Sequence, residues 1–274
     1  MQTAFSLDTS DARILMEYDQ LCKRLQHPHT ERLQRLQQYE QLVIQRDGLL
    51  LEYITLLNLT GQYAEARQRL DSHIFHPWEG GEGKVPEQYQ LARIGMAMNL
   101  PEETDRAQWL RENGISLYPH HLGEGRLYCA QENDIQYLLR DFEAGTAGPT
   151  EPAPAMYYND ASPDKIYYAG LCYRELGDNE NAERLFNALV QFGKAHIDDH
   201  IRMDYFAVSL PDLQIWEADL DQKNRIHCNF MMALGYAGLH QHQLSQHHLA
   251  LAQQEDINHI GIHKFLIITK GTAE

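Results

Sequence analysis

Cysteine is scarce in this chain, and the four that occur are far apart. Cys22, Cys129, Cys172 and Cys228 show no Cys-x-x-Cys spacing, and three of them fall within helical apolar patterns. In such positions a free cysteine behaves as a small hydrophobic residue. We therefore expect reduced core cysteines, as is usual in the cytoplasm, and neither disulfides nor thiolate metal ligands.

Basic residues and long apolar runs are also lacking. Lys and Arg number 23 against 39 Asp and Glu, a net charge of −16 that repels nucleic acid and anionic membrane surfaces. No window approaches the roughly 18 apolar residues of a membrane-spanning helix. The start of the chain carries Asp8, Asp11, Glu17 and Asp19 and no signal-peptide pattern. We therefore expect a cytoplasmic protein, with neither nucleic acid nor a membrane as partner.

Sustained alternation of apolar and polar residues is absent too, so no sheet is predicted. The chain instead has a repeat of about 34 residues, the length of the tetratricopeptide hairpin. It is clearest over 163–196, with small residues at Gly170 and Ala182, aromatic residues at Tyr173 and Phe186, and Gly177 between the two helices. This spacing predicts that Gly170 lets the first helix approach the second at Ala182. Gly177 would close the turn, and the aromatic rings would fill the space between hairpins.

Three further segments carry parts of this pattern. The copy at 47–80 keeps Leu57, Gly61, Tyr63, Ala66 and Leu70, and the copy at 88–121 keeps Gly95, Ala107 and Pro119. A degenerate copy from about Ile226 keeps Tyr236, Leu239, Leu249 and Ala252, with His240 at the turn and Ser245 at the small position. Terminal repeats are often degenerate.

Helical periodicity continues outside these copies. Residues 12–45 read as a hairpin broken near His27 and Pro28, residues 261–269 as a closing helix, and residues 144–154 as a surface loop. The predicted fold is all-α, a tetratricopeptide-type superhelical solenoid of antiparallel helix pairs with a concave inner face. Residues 1–46 form the leading helical hairpin, and residues 47–274 form a single continuous array with inserted loops.

A glycine-rich loop at residues 76–84, at the end of the 47–80 copy, is the most unusual local feature. Its glycines let the backbone approach a ligand closely, and its side chains include Trp78, Glu79, Glu82 and Lys84. It is not a phosphate-binding loop, because Val85 follows the lysine and no strand precedes it. It is either a tight connector or a ligand loop. In the second case, Glu124 in a similar turn one repeat later would lie beside it, and together they would bind sugar hydroxyls and a pyranose face.

Two other segments have the same ambiguity. Tyr158, Asn159 and Asp160 either cap a turn or add an inward carboxylate. Asp204 and Tyr205 belong either to an extra covering helix or to an inward hydrogen-bonding pair.

Histidine occurs in two groups. The first consists of His196, Asp198, Asp199 and His200, which have metal-ligand chemistry but point at different helical angles, so no metal or other cofactor is expected. The second, near the C terminus, reads as a solvated helix face and consists of His240, His242, His247 and His248.

The chain resembles a known family from about Arg46 onward: large bacterial proteins in which a β-sandwich region, called domain of unknown function 5107, precedes a tetratricopeptide region. The matching segments are 46–47, 75–84, 118–119, 122–125, 157–160, 204–213 and 227–228. The resemblance implies an association with carbohydrates but no established activity, and it adds His227 to the candidate ligand-binding residues. The β-sandwich is missing, so we expect a free-standing relative or a separated part; Arg126 stands where the family is expected to carry lysine.

Two functions are compatible with these features. The first is an interaction module whose concave face and loops bind a protein partner, such as a β-sandwich protein of the same pathway, or a carbohydrate-like ligand. The second is a carbohydrate-processing enzyme or enzyme subunit, similar to a glycoside hydrolase. Its acid and base would come from Glu79, Glu82, Glu124, Asp160 and Asp204, with two carboxyl groups roughly 5 to 9 Å apart. No catalytic residue is assigned, and enzymatic activity stays an open question.

Overall fold

A computed structural model of the chain describes residues 2–76, 84–98, 146, 150–154, 163–201 and 219–270. Within these residues it contains twelve helices and no strand, as the lack of alternation predicts. No helix in those ranges combines the length and the hydropathy that crossing a bilayer demands.

The first of two compact units contains the N-terminal helices and the end of the last helix, from His263. Its helices are α1 (Gln2–Leu7), α2 (Ala12–Arg24), α3 (His29–Gln38), α4 (Glu40–Val43), α5 (Asp47–Leu59), α6 (Tyr63–Ser72) and α7 (Lys84–Met98). The core is built largely on α5, which is apolar on most of its faces and contributes Leu49, Leu50, Tyr53, Ile54, Leu56 and Leu57. An isolated hairpin could not bury so apolar a helix, so α5 requires neighbours on several sides.

The second unit contains α8 (Pro163–Glu175), α9 (Asn179–His196), α10 (Leu220–Gly238), α11 (His242–Glu255) and the start of α12 (Ile260–Lys270), up to Ile262. Each of these helices packs against its neighbour in sequence from α8 to α11, and α8 also contacts α10. The non-helical residues 150–154 belong to the same unit.

Four hairpins turn with one geometry, in which a residue with positive φ lies two positions after the last residue of the first helix. These residues are Gln26 (φ 57°), Gly61 (81°), Gly177 (82°) and His240 (59°). In each case the N–H of the positive-φ residue donates to the carbonyl three residues back, at 2.9–3.1 Å, and the next N–H donates to the carbonyl five residues back, at 2.8–3.0 Å. This is the Schellman motif. The turns at Gly61, Gly177 and His240 are the three that the repeat pattern places there.

Glycines bring the helices of the second unit close together. A Cβ on Gly170 or on Gly238 would lie within 2.4 Å of the Phe186 ring, so both glycines make room for that ring. Phe186 is fully buried between the α8–α9 hairpin and α10, as predicted for the ring between hairpins. Gly170 therefore accommodates an aromatic side chain of α9. In the last hairpin the equivalents of Gly170 and Ala182 are Ala233 and Ser245, and these two are in direct contact, because Ser245 Oγ donates to the Ala233 carbonyl at 2.8 Å.

The helix boundaries agree with the sequence in most places and differ in four. The hairpins at 47–72 and 163–196 and the closing helix are confirmed. Helix α1 was not predicted, and the second half of the leading hairpin is divided at Tyr39, where φ is −120° and the helix cannot continue. Helix α7 begins at Lys84, four residues before the predicted copy. Helix α10 begins at Leu220, because the Asp219 carboxylate caps its N terminus through the Gln222 N–H.

Some predictions concern residues outside the described ranges. The third copy is described only up to Met98, so its Ala107 and Pro119 lie outside. Cys22, Cys172 and Cys228 are buried and unbonded to one another, as predicted, while Cys129 lies outside the described residues. Burial raises the pKa of the Cys172 and Cys228 thiols to about 12, which keeps both protonated.

Candidate functional site

Most of the predicted ligand-binding residues lie outside the described part of the chain. They are Trp78, Glu79, Glu82, Glu124, Tyr158, Asn159, Asp160, Asp204 and Tyr205. The proposed neighbouring Gly-Glu-Gly turns and the carboxylate pair therefore stay predictions. Lys84 and His227 are described, and they lie in different units.

Lys84 is the exposed first residue of α7. A positive charge at a helix N terminus is disfavoured by the helix dipole. Glu87, in the same turn, has the favourable sign. Helix formation thus gives no reason for a lysine at this position.

The start of the glycine-rich loop is anchored by Asp47, the first residue of α5. The Asp47 Oδ1 atom lies 2.7 Å from His73 Nε2, and Oδ2 accepts the His76 backbone N–H at 2.7 Å. Burial acts to raise the pKa of Asp47, but the hydrogen bonds from His73 and His76 outweigh it and lower the pKa below its usual value. Segments 46–47 and 75–84 both carry the resemblance, and the carboxylate of Asp47 joins the first to His76 of the second.

Of the two described candidates, His227 is the one that is buried and held by a hydrogen bond. It is on α10, its residue is 7% exposed, and its Nε2 atom lies 2.8 Å from the carbonyl oxygen of Ala153. A carbonyl oxygen can only accept, so Nε2 carries a proton in this contact. The ring therefore links α10 to the non-helical residues 150–154.

Three other titratable side chains surround this part of the second unit. Asp164 and Tyr168 are buried on α8, and burial together with the Asp164 charge raises the pKa of Tyr168 well above its usual value. The His259 ring packs on Phe230 at 4.8 Å between centroids. Burial is the main cause that lowers the pKa of His259, and the charge of His227 lowers it further. The charges of Asp256 and Asp164 act in the opposite direction but are outweighed. We call Asp164, Tyr168, His227 and His259 the His227 cluster.

The sequence contains a signal for part of this cluster that a search by motif misses. Asp164 and His227 are both the second residue of their predicted repeat copies, which begin at position 163 and at about position 226. Their helices α8 and α10 contact each other in the structure. Comparing copies position by position identifies this pair. Tyr168 and His259 have no such signal, because an aromatic residue in a helix and a histidine in a loop are common.

Chemically, the cluster supplies a buried carboxyl, a phenol with a raised pKa and two imidazoles. Such groups, set among apolar side chains, typically fix the orientation of a ligand through a few hydrogen bonds. In the described ranges, no three His, Cys, Asp or Glu side chains converge as a metal ligand set. Two of the metal candidates form ion pairs: His196 with Asp199 and His200 with Asp221, each at 2.7 Å.

The C-terminal histidines differ from their prediction at one position. His240, His242 and His247 are exposed, as predicted for a solvated face. His248 is half-buried, stacks on Tyr236, and bonds through Nδ1 to Asn229 Oδ1 at 2.9 Å. Burial lowers the pKa of His248 because the charged form loses hydration.

A buried ion network in the first unit was not predicted. Arg32 is 0% exposed and bonds both oxygens of the Asp19 carboxylate, at 3.1 and 2.6 Å, and also bonds Glu52 at 2.6 Å. Lys23 reaches Glu52 at 2.8 Å. Burial acts to raise the pKa of Glu52, but Lys23 and Arg32 lower it to about 2. This network joins α2, α3 and α5, and we assign it a structural role.

No protein-family model matches the chain, and no solved structure matches it significantly. The resemblance to the domain of unknown function 5107 proteins is therefore carried by the quoted segments alone. The contacts around His227 and Asp47 have to support any functional proposal by themselves.

Proposed function

We propose that this protein is a tetratricopeptide-type interaction module that binds a protein partner through the first helices of its hairpins. The observation that carries the proposal is the common turn geometry of four hairpins, at Gln26, Gly61, Gly177 and His240. In the second unit, the hairpins with turns at Gly177 and His240 pack on each other, and each buries apolar surface that a single hairpin would expose. A solenoid built in this way has one extended face available for a partner.

The His227 cluster supports the location of binding. Asp164 and His227 occupy the same position of the predicted repeat on α8 and α10, and these two helices contact each other. Both side chains are buried, and buried polar groups cost free energy unless they are hydrogen-bonded. Polar side chains at equivalent positions on two contacting helices are the feature that supports a binding region at α8 and α10.

The class of partner follows from charge and from the resemblance. A net charge of −16 disfavours polyanions, so we propose a protein rather than nucleic acid as the partner. We also propose that the protein acts in the cytoplasm, where free cysteines such as the buried Cys22, Cys172 and Cys228 are usual. The resemblance suggests a β-sandwich protein of a carbohydrate pathway. The carbohydrate ligand and the glycoside hydrolase-like activity depend on loop carboxylates outside the described residues, and no contact described here favours them.

The proposal can be tested by co-purification from the native host with the full-length chain as bait. The natural chain and a His247→Gln control, altered on the exposed face of α11, should retain the same partner, and His227→Leu should lose it. Circular dichroism would establish that each variant folds. His227→Gln, which keeps an N–H donor, should retain part of the binding.

Two outcomes would contradict the proposal. One is a partner that binds His227→Leu as well as it binds the natural chain. The other is the absence of any partner together with stabilisation by a sugar, which at a hundred times its dissociation constant amounts to about 2.7 kcal/mol. A thermal-shift panel of mono- and disaccharides measures the second outcome directly.

A further inference from the structure

Residues 150–154 form a short non-helical segment, Thr-Glu-Pro-Ala-Pro, that lies against α10. Pro152 and Ala153 are half-buried, while Glu151 and Pro154 are exposed. The hydrogen bond from His227 Nε2 to the Ala153 carbonyl holds the segment to the helix at 2.8 Å. The contact therefore joins a backbone acceptor to a buried side-chain donor.

The proline spacing prepares this segment for binding. Pro152 and Pro154 have φ held near −65° and lack an N–H, and a residue that precedes proline is restricted to extended conformations. Glu151 and Ala153 each precede a proline, so residues 151–154 favour a polyproline II conformation. Such a helix makes no internal hydrogen bonds and leaves its carbonyls available to external donors.

His227 recognises a backbone carbonyl oxygen and not a particular side chain. Any extended segment with a carbonyl at the place of Ala153 satisfies the Nε2–H donor, and a buried donor with no acceptor would be costly. Pro152 and Ala153 add a small, rigid apolar surface beside it. A segment of the same kind from another protein meets the same requirements.

We propose that residues 150–154 are an intramolecular occupant of a binding site for extended, proline-containing peptides, and that a partner peptide displaces them. His227 is the donor that recognises the backbone carbonyl of either occupant. The inference rests on the proposed interaction function and names the class of partner segment. The natural chain is then autoinhibited, because a tethered segment has an effective concentration on the order of millimolar.

The experiment uses the full chain and a fluorescein-labelled peptide of residues 148–156, Gly-Pro-Thr-Glu-Pro-Ala-Pro-Ala-Met, followed by fluorescence anisotropy. The double variant Pro152→Gly and Pro154→Gly removes the preorganisation of the internal segment without touching α10. It should bind the labelled peptide at least tenfold more tightly than the natural chain does. A control peptide with glycine in place of all three prolines should bind at least tenfold more weakly than the natural peptide.

His227 is tested in the background of that double variant. His227→Leu should abolish peptide binding, and His227→Gln should restore a measurable part of it because the glutamine amide donates. Equal affinity of the natural chain and the double variant would overturn the proposal, as would binding that is unaffected by His227→Leu in a folded protein. Circular dichroism of each variant identifies a loss of fold, and the His227→Gln variant keeps the test decisive if His227→Leu does not fold.

This result is separable from that of the proposed function. If the peptide fails to bind any variant while a partner co-purifies with the natural chain, the interaction module stands and the peptide site is wrong. If no partner co-purifies with the natural chain and the double variant captures the peptide, the site exists and the internal segment keeps it closed.

Discussion

Gly235 on α10 offers the sharpest test of how closely the helices of the second unit pack. A Cβ at this position would lie 2.6 Å from the Phe186 carbonyl oxygen, 2.7 Å from Val190 Cγ2 and 3.1 Å from the Val190 nitrogen. Favourable contacts between heavy atoms lie at about 3.5–4.0 Å, so α10 and α9 would have to separate by roughly 1 Å. Two of these three atoms belong to the α9 backbone and cannot rotate away.

The expected effect of Gly235→Ala combines two terms of opposite sign. Overpacking of a well-packed interface costs about 1–3 kcal/mol, and we take the upper end because backbone atoms are involved. Alanine is favoured over glycine within a helix by about 1 kcal/mol. The net prediction is a loss of about 2 kcal/mol in the free energy of unfolding, measured by urea denaturation followed by far-UV circular dichroism.

A matched control uses the same substitution without the clash. At Gly48, near the start of α5, the nearest atom to a new Cβ is Met16 Sδ at 4.0 Å, an ordinary contact. Gly48→Ala should therefore leave stability unchanged or raise it by up to about 1 kcal/mol. A Gly235→Ala protein as stable as the natural one would refute the close packing of α9 and α10.

Three further predictions use the same measurement. Gly177→Ala should lower the free energy of unfolding by about 1–2 kcal/mol; no atom lies within 4 Å of the new Cβ, so the whole penalty comes from the positive φ. His240→Gly should raise the free energy of unfolding, because glycine adopts the same positive φ without that penalty. Because the pKa of His259 is lowered, its contribution to the free energy of unfolding is complete above about pH 6.5 and is lost as pH falls below that value. His259→Gln should therefore lose less stability than the natural chain between pH 8 and 5.5, and an unchanged pH dependence would contradict the assignment. Arg32→Met should lower the free energy of unfolding by about 3–5 kcal/mol, because it leaves Asp19 buried and unpaired. Adding Asp19→Leu should restore a large part of that stability, and a double variant no more stable than Arg32→Met would contradict the pairing.

The hairpins could be predicted because their signals are local. Gly177 lies in the turn after α8, where the sequence places it, and the apolar positions of α9 recur at helical spacing around Phe186. The turn at His240 was predicted from its place in the repeat, although a histidine at positive φ is unusual. There the packing of α10 on α11 imposes a conformation that the residue itself does not favour.

The candidate site was predictable only in part. His227 was found through the resemblance, but the Ala153 carbonyl that it contacts is far away in sequence and leaves no pattern. Arg32 and Asp19 were missed, because charged side chains are expected at the surface and only the packing of α2 on α3 buries the pair. The loop carboxylates stay predictions, since their residues lie outside the described ranges.

The sequence by itself determined the helical class and the positions of the turns at Gly61, Gly177 and His240, because each depends on residues within one or two helical turns of one another. The tertiary structure alone decided which polar side chains are buried and what they contact. The Asp47 anchor, the ion network of Arg32 and the hydrogen bond of His227 all join residues more than ten positions apart. Such contacts depend on which helix faces meet, and that is settled by the packing of the chain as a whole.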